Sequence, residues 1–158
     1  MTLSHVLVLA FAIGVVAGLR TFTAPATISW AAHLKWISLQ NSALSFLSSL
    51  LALIVTTIMC VGELIMDKLP MTPSRKKTGP FTGRVIIGAL SGVALAIAGR
   101  QSIPLGAIMG ALGAVAGTLG GYEFRTRLVK LLNCPDFVVA MIEDAIAISA
   151  GFFIVSRF

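Results

Sequence analysis

The sequence predicts an all-helical, polytopic membrane protein, and three observations carry that prediction. Of the 158 residues, 57% are hydrophobic and only 11% are charged, against about a quarter charged in an ordinary soluble domain. The apolar residues fall into runs near the ~20 residues that cross ~30 Å of hydrocarbon. The basic residues gather at the ends of those runs. They read as topology signals and contacts for anionic lipid headgroups, not as a nucleic-acid surface, despite a net charge of +6. We expect one integral membrane domain over residues 1–158, with about five transmembrane helices, or four plus a re-entrant or interfacial helix.

Leu3 to Leu19 forms the first span. No basic cluster precedes it, so it reads as a retained helix and not a removed signal peptide. Gly14 and Gly18 make a small-xxx-small pair that lets a neighbouring helix approach, and Arg20 closes the run. Thr21 to Ser42 is different in kind. Pro25 favours a new helical start, and Trp30 and Trp36 flank His33 and Lys35, the composition of an interfacial or re-entrant segment. Ala43 to Met66 is the second span and carries Glu63 near its end. Asp67 lies one turn further, and the two acids share a helix face.

Pro70 and Pro73 end that helix, and Lys68, Arg75, Lys76, Lys77 and Arg84 make the most basic connection in the chain. Val85 to Gly99 is a short third span with Gly88 and Gly92 on one face. Ile103 to Gly121 is a fourth, with Gly106, Gly110, Gly113, Gly117 and Gly120 at helical spacing, a stripe suited to close packing in lipid. Arg125, Arg127 and Lys130, with Glu123, form a second basic connection. Phe137 to Val155 is the last span, interrupted by Glu143 and Asp144.

Retaining the two basic connections in the cytoplasm leaves Arg20, Lys35, Arg100 and Arg157 outside. This topology puts the N-terminus in the cytoplasm and the C-terminus outside. The first and fourth spans then cross in opposite senses. Gly14-Val-Val-Ala-Gly18 and Gly113-Ala-Val-Ala-Gly117 echo each other, each followed by basic residues and then by a span with paired acids. That order is the one an inverted two-helix repeat would give.

Ionisable groups inside a span cost a few kcal/mol on insertion scales, so they face protein, a partner charge or water. Glu63, Asp67, Glu143 and Asp144 are therefore the candidate ion- or solute-binding residues, with Arg20, Arg84 and Arg125 as charge partners. The competing reading makes the same residues structural ion pairs that lock helices together. No HExxH, GxSxG or phosphate-binding GxxxxGK[ST] motif occurs, so catalysis is not expected, and Cys60 and Cys134 have no metal-ligand spacing. We expect no cofactor and no metal.

Taken together, GLRTFTAP (Gly18 to Pro25), GELIMDKLPMTPSR (Gly62 to Arg75), GPFTGR with GALSG, GALGAVAGTLGGYEFR (Gly110 to Arg125) and EDAIAI (Glu143 to Ile148) resemble the small prokaryotic integral membrane proteins of domain-of-unknown-function family 4126. The resemblance covers nearly the whole chain. It implies a multi-span protein of the bacterial inner membrane and brings no biochemical activity with it. The residues favour a small-ion or small-solute transporter or channel-like protein in the lipid bilayer, as a homo-oligomer in which neighbouring copies help shield the buried acids. The alternative is a non-catalytic structural or accessory membrane protein.

Overall fold

The computed structural model describes residues 1–67, 78–132 and 136–158, the side chains of residues 130–132 and 136 aside. Lys68, Arg75, Lys76 and Lys77 of the basic connection, Pro70, Pro73 and Cys134 lie outside the described residues. The described residues form six α-helices, α1 (Leu3–Leu19), α2 (Thr23–His33), α3 (Leu50–Met66), α4 (Thr78–Ala98), α5 (Ile103–Leu132) and α6 (Asp136–Val155), with a 3-10 turn at Ser45–Ser48 before α3. No strand occurs among the described residues. Within the described residues, α4, α5 and α6 are long and apolar enough to cross a membrane, and α1 and α3 are shorter apolar helices of 17 residues, each about 25 Å long.

The glycines decide how the helices assemble. A Cβ on Gly14 would strike the Gly110 carbonyl, and one on Gly18 would strike Ala114 and Thr118 backbone atoms. One on Gly113 or Gly117 would strike the α1 backbone at Phe11 and Val15. The contacts advance together along both helices, so α1 and α5 run parallel. On its other side α5 meets α4 in the opposite sense, Gly88 against Gly110 and Gly92 against Gly106. Gly110 therefore sits where three helix backbones converge. Lipid offers no hydrophobic drive between helices, and close backbone contact of this kind supplies the attraction instead. Gly120, the fifth member of the expected stripe, faces open space.

This parallel packing overturns the inverted repeat as the first and fourth spans suggested it. The two echoing glycine pairs are the facing halves of one seam, and they point the same way. The cause is α2. Its 11 residues are too few for a span by length, yet it packs against α3, α6 and α4 and adds a return to the bundle. Eight of its residues are buried, Thr23, Ala24, Ala26 to Ser29, Ala31 and Ala32, while Trp30 is exposed. It runs antiparallel to α3, with Trp30 Nε1 donating to Thr57 Oγ1 at 3.1 Å and Glu63 reaching back to its start.

Counting that extra return reverses the direction of α1. Gln101 Nε2 donates to the Met1 carbonyl and Gly99 packs on Val6, so the N-terminus lies beside the α4–α5 turn. Arg20 lies at the other end with Arg84 and Arg125. The N-terminus thus sits opposite the basic end and not beside it, and Arg20 joins the basic end instead of facing away from it.

Apolarity alone also shortens two helices, starting the third span too late at Val85 and ending the fourth too early at Gly121. Helix α4 begins at Thr78, and α5 continues through the charged stretch to Leu132, where Arg127 and Glu123 pair at 3.6 Å one turn apart. The apolar core is built by Leu9, Ile13 and Val16 of α1, Ile28 of α2, Leu95 of α4 and Val155 at the end of α6, with Leu39 from the segment after α2.

Candidate functional site

All seven charged residues singled out in the sequence meet at one end of the bundle. Arg20 is the C-cap of α1, where the chain turns extended before α2, and its side chain is completely buried. A cation at a helix C-terminus is favourably placed against the helix dipole. Its Nη1 pairs with Asp67 Oδ2, and its Nη2 lies 2.6 Å from Asp144 Oδ1 and 3.6 Å from Glu143 Oε2. Arg125 Nη1 on α5 bonds the same Asp67 oxygen at 2.8 Å and lies 3.5 Å from Glu143. Arg84 on α4 donates from Nη1 to the carbonyls of Gly18 at 2.5 Å and Leu19 at 3.1 Å. Two orphan carbonyls at the end of α1 are satisfied in this way.

Glu63 has a different task from its neighbours. Its two carboxylate oxygens accept from the backbone N–H groups of Thr21 and Phe22, each at 2.8 Å, and Arg84 Nη2 stands 3.7 Å away. A side chain of α3 thereby covers the N-terminal donors of α2, where Phe22 as N-cap has no side-chain oxygen of its own to offer. No local pattern announces this cap, because the capping carboxylate lies about forty residues away. Thr118 was also missed. Its hydroxyl donates to Ala114 O at 2.8 Å and lies 3.2 Å from Gly18 O, on the same helix end that Arg84 serves.

The charges are segregated. Among the described residues, the arginines of the cluster stand on α4 and α5 or at the C-cap of α1, the helices joined by the glycine seam. The described acids of the cluster stand on α3, at its C-cap, or on α6, and α2 packs against both of these helices. The apolar core fills the interior of the boundary between these two groups, and clefts open along its edges. A cleft of about 160 Å³ separates α4 (Ile87, Leu90, Ser91) from α2 and Leu47, and one of about 300 Å³ lies between α1 and α5 on one side and α6 on the other, with Glu143 in its wall. Glu143 and Asp144 are only 5% and 6% exposed within a single chain. Shielding by a second copy, the reason for expecting a homo-oligomer, is therefore unnecessary.

No set of three or more His, Cys, Asp or Glu side chains arranged to hold a metal occurs among the described residues. Each acid is answered instead by arginine or by backbone N–H.

The fold and this buried charge layer define a polytopic helical membrane protein. The chain belongs to the family described as "Domain of unknown function (DUF4126)", whose model matches residues 7–156. No match was found among curated proteins or solved structures.

Proposed function

We propose that this protein moves a small ion or solute across the bacterial inner membrane, and that the arginine–carboxylate layer is the gate closing its basic end. The observation that carries this reading is the segregation of charge, among the described residues, between the two groups of helices. Gly14, Gly88, Gly92, Gly110 and Gly117 leave α1, α4 and α5 no slack, so those helices move as one body. The other body, α2, α3 and α6, meets it through apolar side chains in the core and through ion pairs at the basic end. Ion pairs can be exchanged for others or for water, whereas a backbone seam cannot open without losing its contacts. A buried ion pair is also a weak source of stability, since desolvation offsets much of its attraction. Ionisable groups kept inside a span point by default to a functional site.

The basic end is the cytoplasmic face in this reading, and both termini are outside. Catalysis plays no part in it. Reconstituted protein should pass a small ion or solute into liposomes. Glu143→Gln and Asp144→Asn should change that flux while the unfolding transition in detergent persists. Absence of flux across a panel of ions and solutes would contradict the proposal.

One observation favours the alternative, a structural or accessory membrane protein: Glu63 is a helix cap in every respect that its geometry defines. A scaffold of that kind would show no flux and would co-purify with a partner.

A further inference from the structure

Resting on the transport reading, we infer that the stretch from Lys35 to Asn41 is a second gate, an apolar strap that plugs the end of the bundle opposite the arginine–carboxylate layer and lifts out to admit cargo from that side.

Its position follows from the helix directions. Helix α2 starts at the basic end, where Glu63 accepts from the Thr21 and Phe22 N–H groups, and α3 runs antiparallel to it. Residues 34–49, which join the two, therefore lie at the other end, with Met1 and the α4–α5 turn. From Ile37 to Gln40 burial alternates: Ile37 and Leu39 are 4% and 0% exposed, while Ser38 and Gln40 are exposed. Extended chain sends successive side chains to opposite sides, so this stretch directs two apolar side chains inward. They belong to the core cluster that also contains Leu9 of α1, Leu95 of α4, Ile28 of α2 and Val155 of α6, helices of both bodies. Every other buried residue of that cluster stands on a helix; Ile37 and Leu39 alone are carried by irregular backbone.

Little besides those two side chains holds the strap down. The backbone N–H groups from Ser38 to Ala43 donate to no acceptor among the described residues. Lipid cannot satisfy such groups, so the strap has water on its outer side. A segment with so few backbone hydrogen bonds opens before the helices around it do. Both its ends are non-glycine residues in the left-handed region, Lys35 at φ 63° and Asn41 at φ 60°, a conformation that concentrates in switch segments. The near end is tied to α2, with Trp36 N donating to Ala31 O at 2.8 Å. At the far end Ser42 Oγ donates to the Leu39 carbonyl at 2.6 Å. Just beyond it, Leu44 and Leu47 border the cleft of about 160 Å³ against α4, so there is space beside the far end. Alternating access closes the two ends of a path in turn. Ion pairs close the basic end; at this end the core is the barrier, and the strap is the part of it not built into a helix.

The test uses full-length protein reconstituted in liposomes, with Cys60 and Cys134 replaced by serine and a membrane-impermeant methanethiosulfonate as probe. Single cysteines are placed at Leu39, at the exposed Ser38, and at Val6, which is as buried as Leu39 but packs on Gly99 within the glycine-packed body. Leu39→Cys should react, more slowly than Ser38→Cys, and Val6→Cys should not. Ser42→Ala, which removes the far tie, should speed the Leu39→Cys reaction about three- to tenfold, the equivalent of one hydrogen bond. The charged adduct cannot return to the core, so flux should stop in modified Leu39→Cys and persist in modified Ser38→Cys. If Leu39→Cys does not fold, Ile37→Cys reads the same opening. Flux while Leu39→Cys stays unreactive, or flux that survives its complete modification, would overturn the strap as a gate and leave transport standing. Val6→Cys reacting as fast as Leu39→Cys would show the whole bundle loosening and would overturn it too. Leu39→Cys reactivity raised by Ser42→Ala, with no flux in any protein, would support a moving strap and contradict transport.

Discussion

Adding one methyl group at Gly110 tests the seam that makes one body rigid. Its Cβ would be driven into the Gly88 carbonyl and would lie 3.0 Å from the Gly92 Cα, both backbone atoms of α4. A side chain could rotate aside, but these atoms move only if the whole helix moves. Overpacking typically costs about 1–3 kcal/mol, and alanine recovers up to about 1 kcal/mol through helix propensity. The clash involves fixed atoms, so the upper part of the range applies and Gly110→Ala should destabilise by about 1–2 kcal/mol net. Gly120 is the internal control. It lies on the same helix with nothing within 4 Å of a Cβ, so Gly120→Ala should be stabilising by about 0.5–1 kcal/mol. Unfolding by SDS titration in mixed micelles, followed by circular dichroism, reads both. The signs must be opposite. A Gly110→Ala protein as stable as the parent would refute the claim that backbone contact holds these helices.

Arg20→Met should cost about 3–5 kcal/mol because Asp67 and Asp144 lose their buried partner; adding Asp144→Asn should restore part of that loss, and a double-mutant cycle on the same unfolding assay measures the coupling. Glu63→Ala removes the acceptor for two N–H groups at the start of α2, and by analogy with lost caps should cost about 1–2 kcal/mol. Hydrogen exchange should accelerate at Thr21 and Phe22 before it does in α5. Both termini should be found on one side of the membrane and Arg127 on the other, as read by a membrane-impermeant thiol reagent on single cysteines placed at Thr2, Ser156 and Arg127. Labelling that groups Thr2 with Arg127 would reinstate the sequence-based topology.

Composition and run length made the helical membrane class legible, and the cost of burying acids pointed to Glu63, Asp67, Glu143 and Asp144 without any structure. Spacing also exposed most of the glycine seam. What failed was the step from local runs to direction. Helix α2 has too few residues to register as a crossing, and it ends with Lys35 in the left-handed region (φ 63°) while Trp36 N donates to Ala31 O at 2.8 Å. A glycine would have advertised that C-terminal turn, and lysine does not. One missed return reversed α1, which moved Arg20 to the wrong end and turned two facing halves of a seam into an apparent inverted repeat. Gly120 failed for a subtler reason: periodicity gives a face, but it does not say where the partner helix diverges.

A gate that opens along the charged seam requires the two bodies to separate when their attraction is weakened. Spin labels at Ile86 on α4 and Ile65 on α3, both exposed, report across the seam, and labels at Ile86 and Leu119 report within the glycine-packed body, after Cys60 and Cys134 are replaced by serine. Pulsed electron–electron distance measurements on protein carrying Asp144→Asn should show a longer-distance population for the first pair and an unchanged distribution for the second. If both distributions stay as they are in the parent protein, or if both broaden together, the arginine and carboxylate bodies do not move as separate units and the gate does not exist.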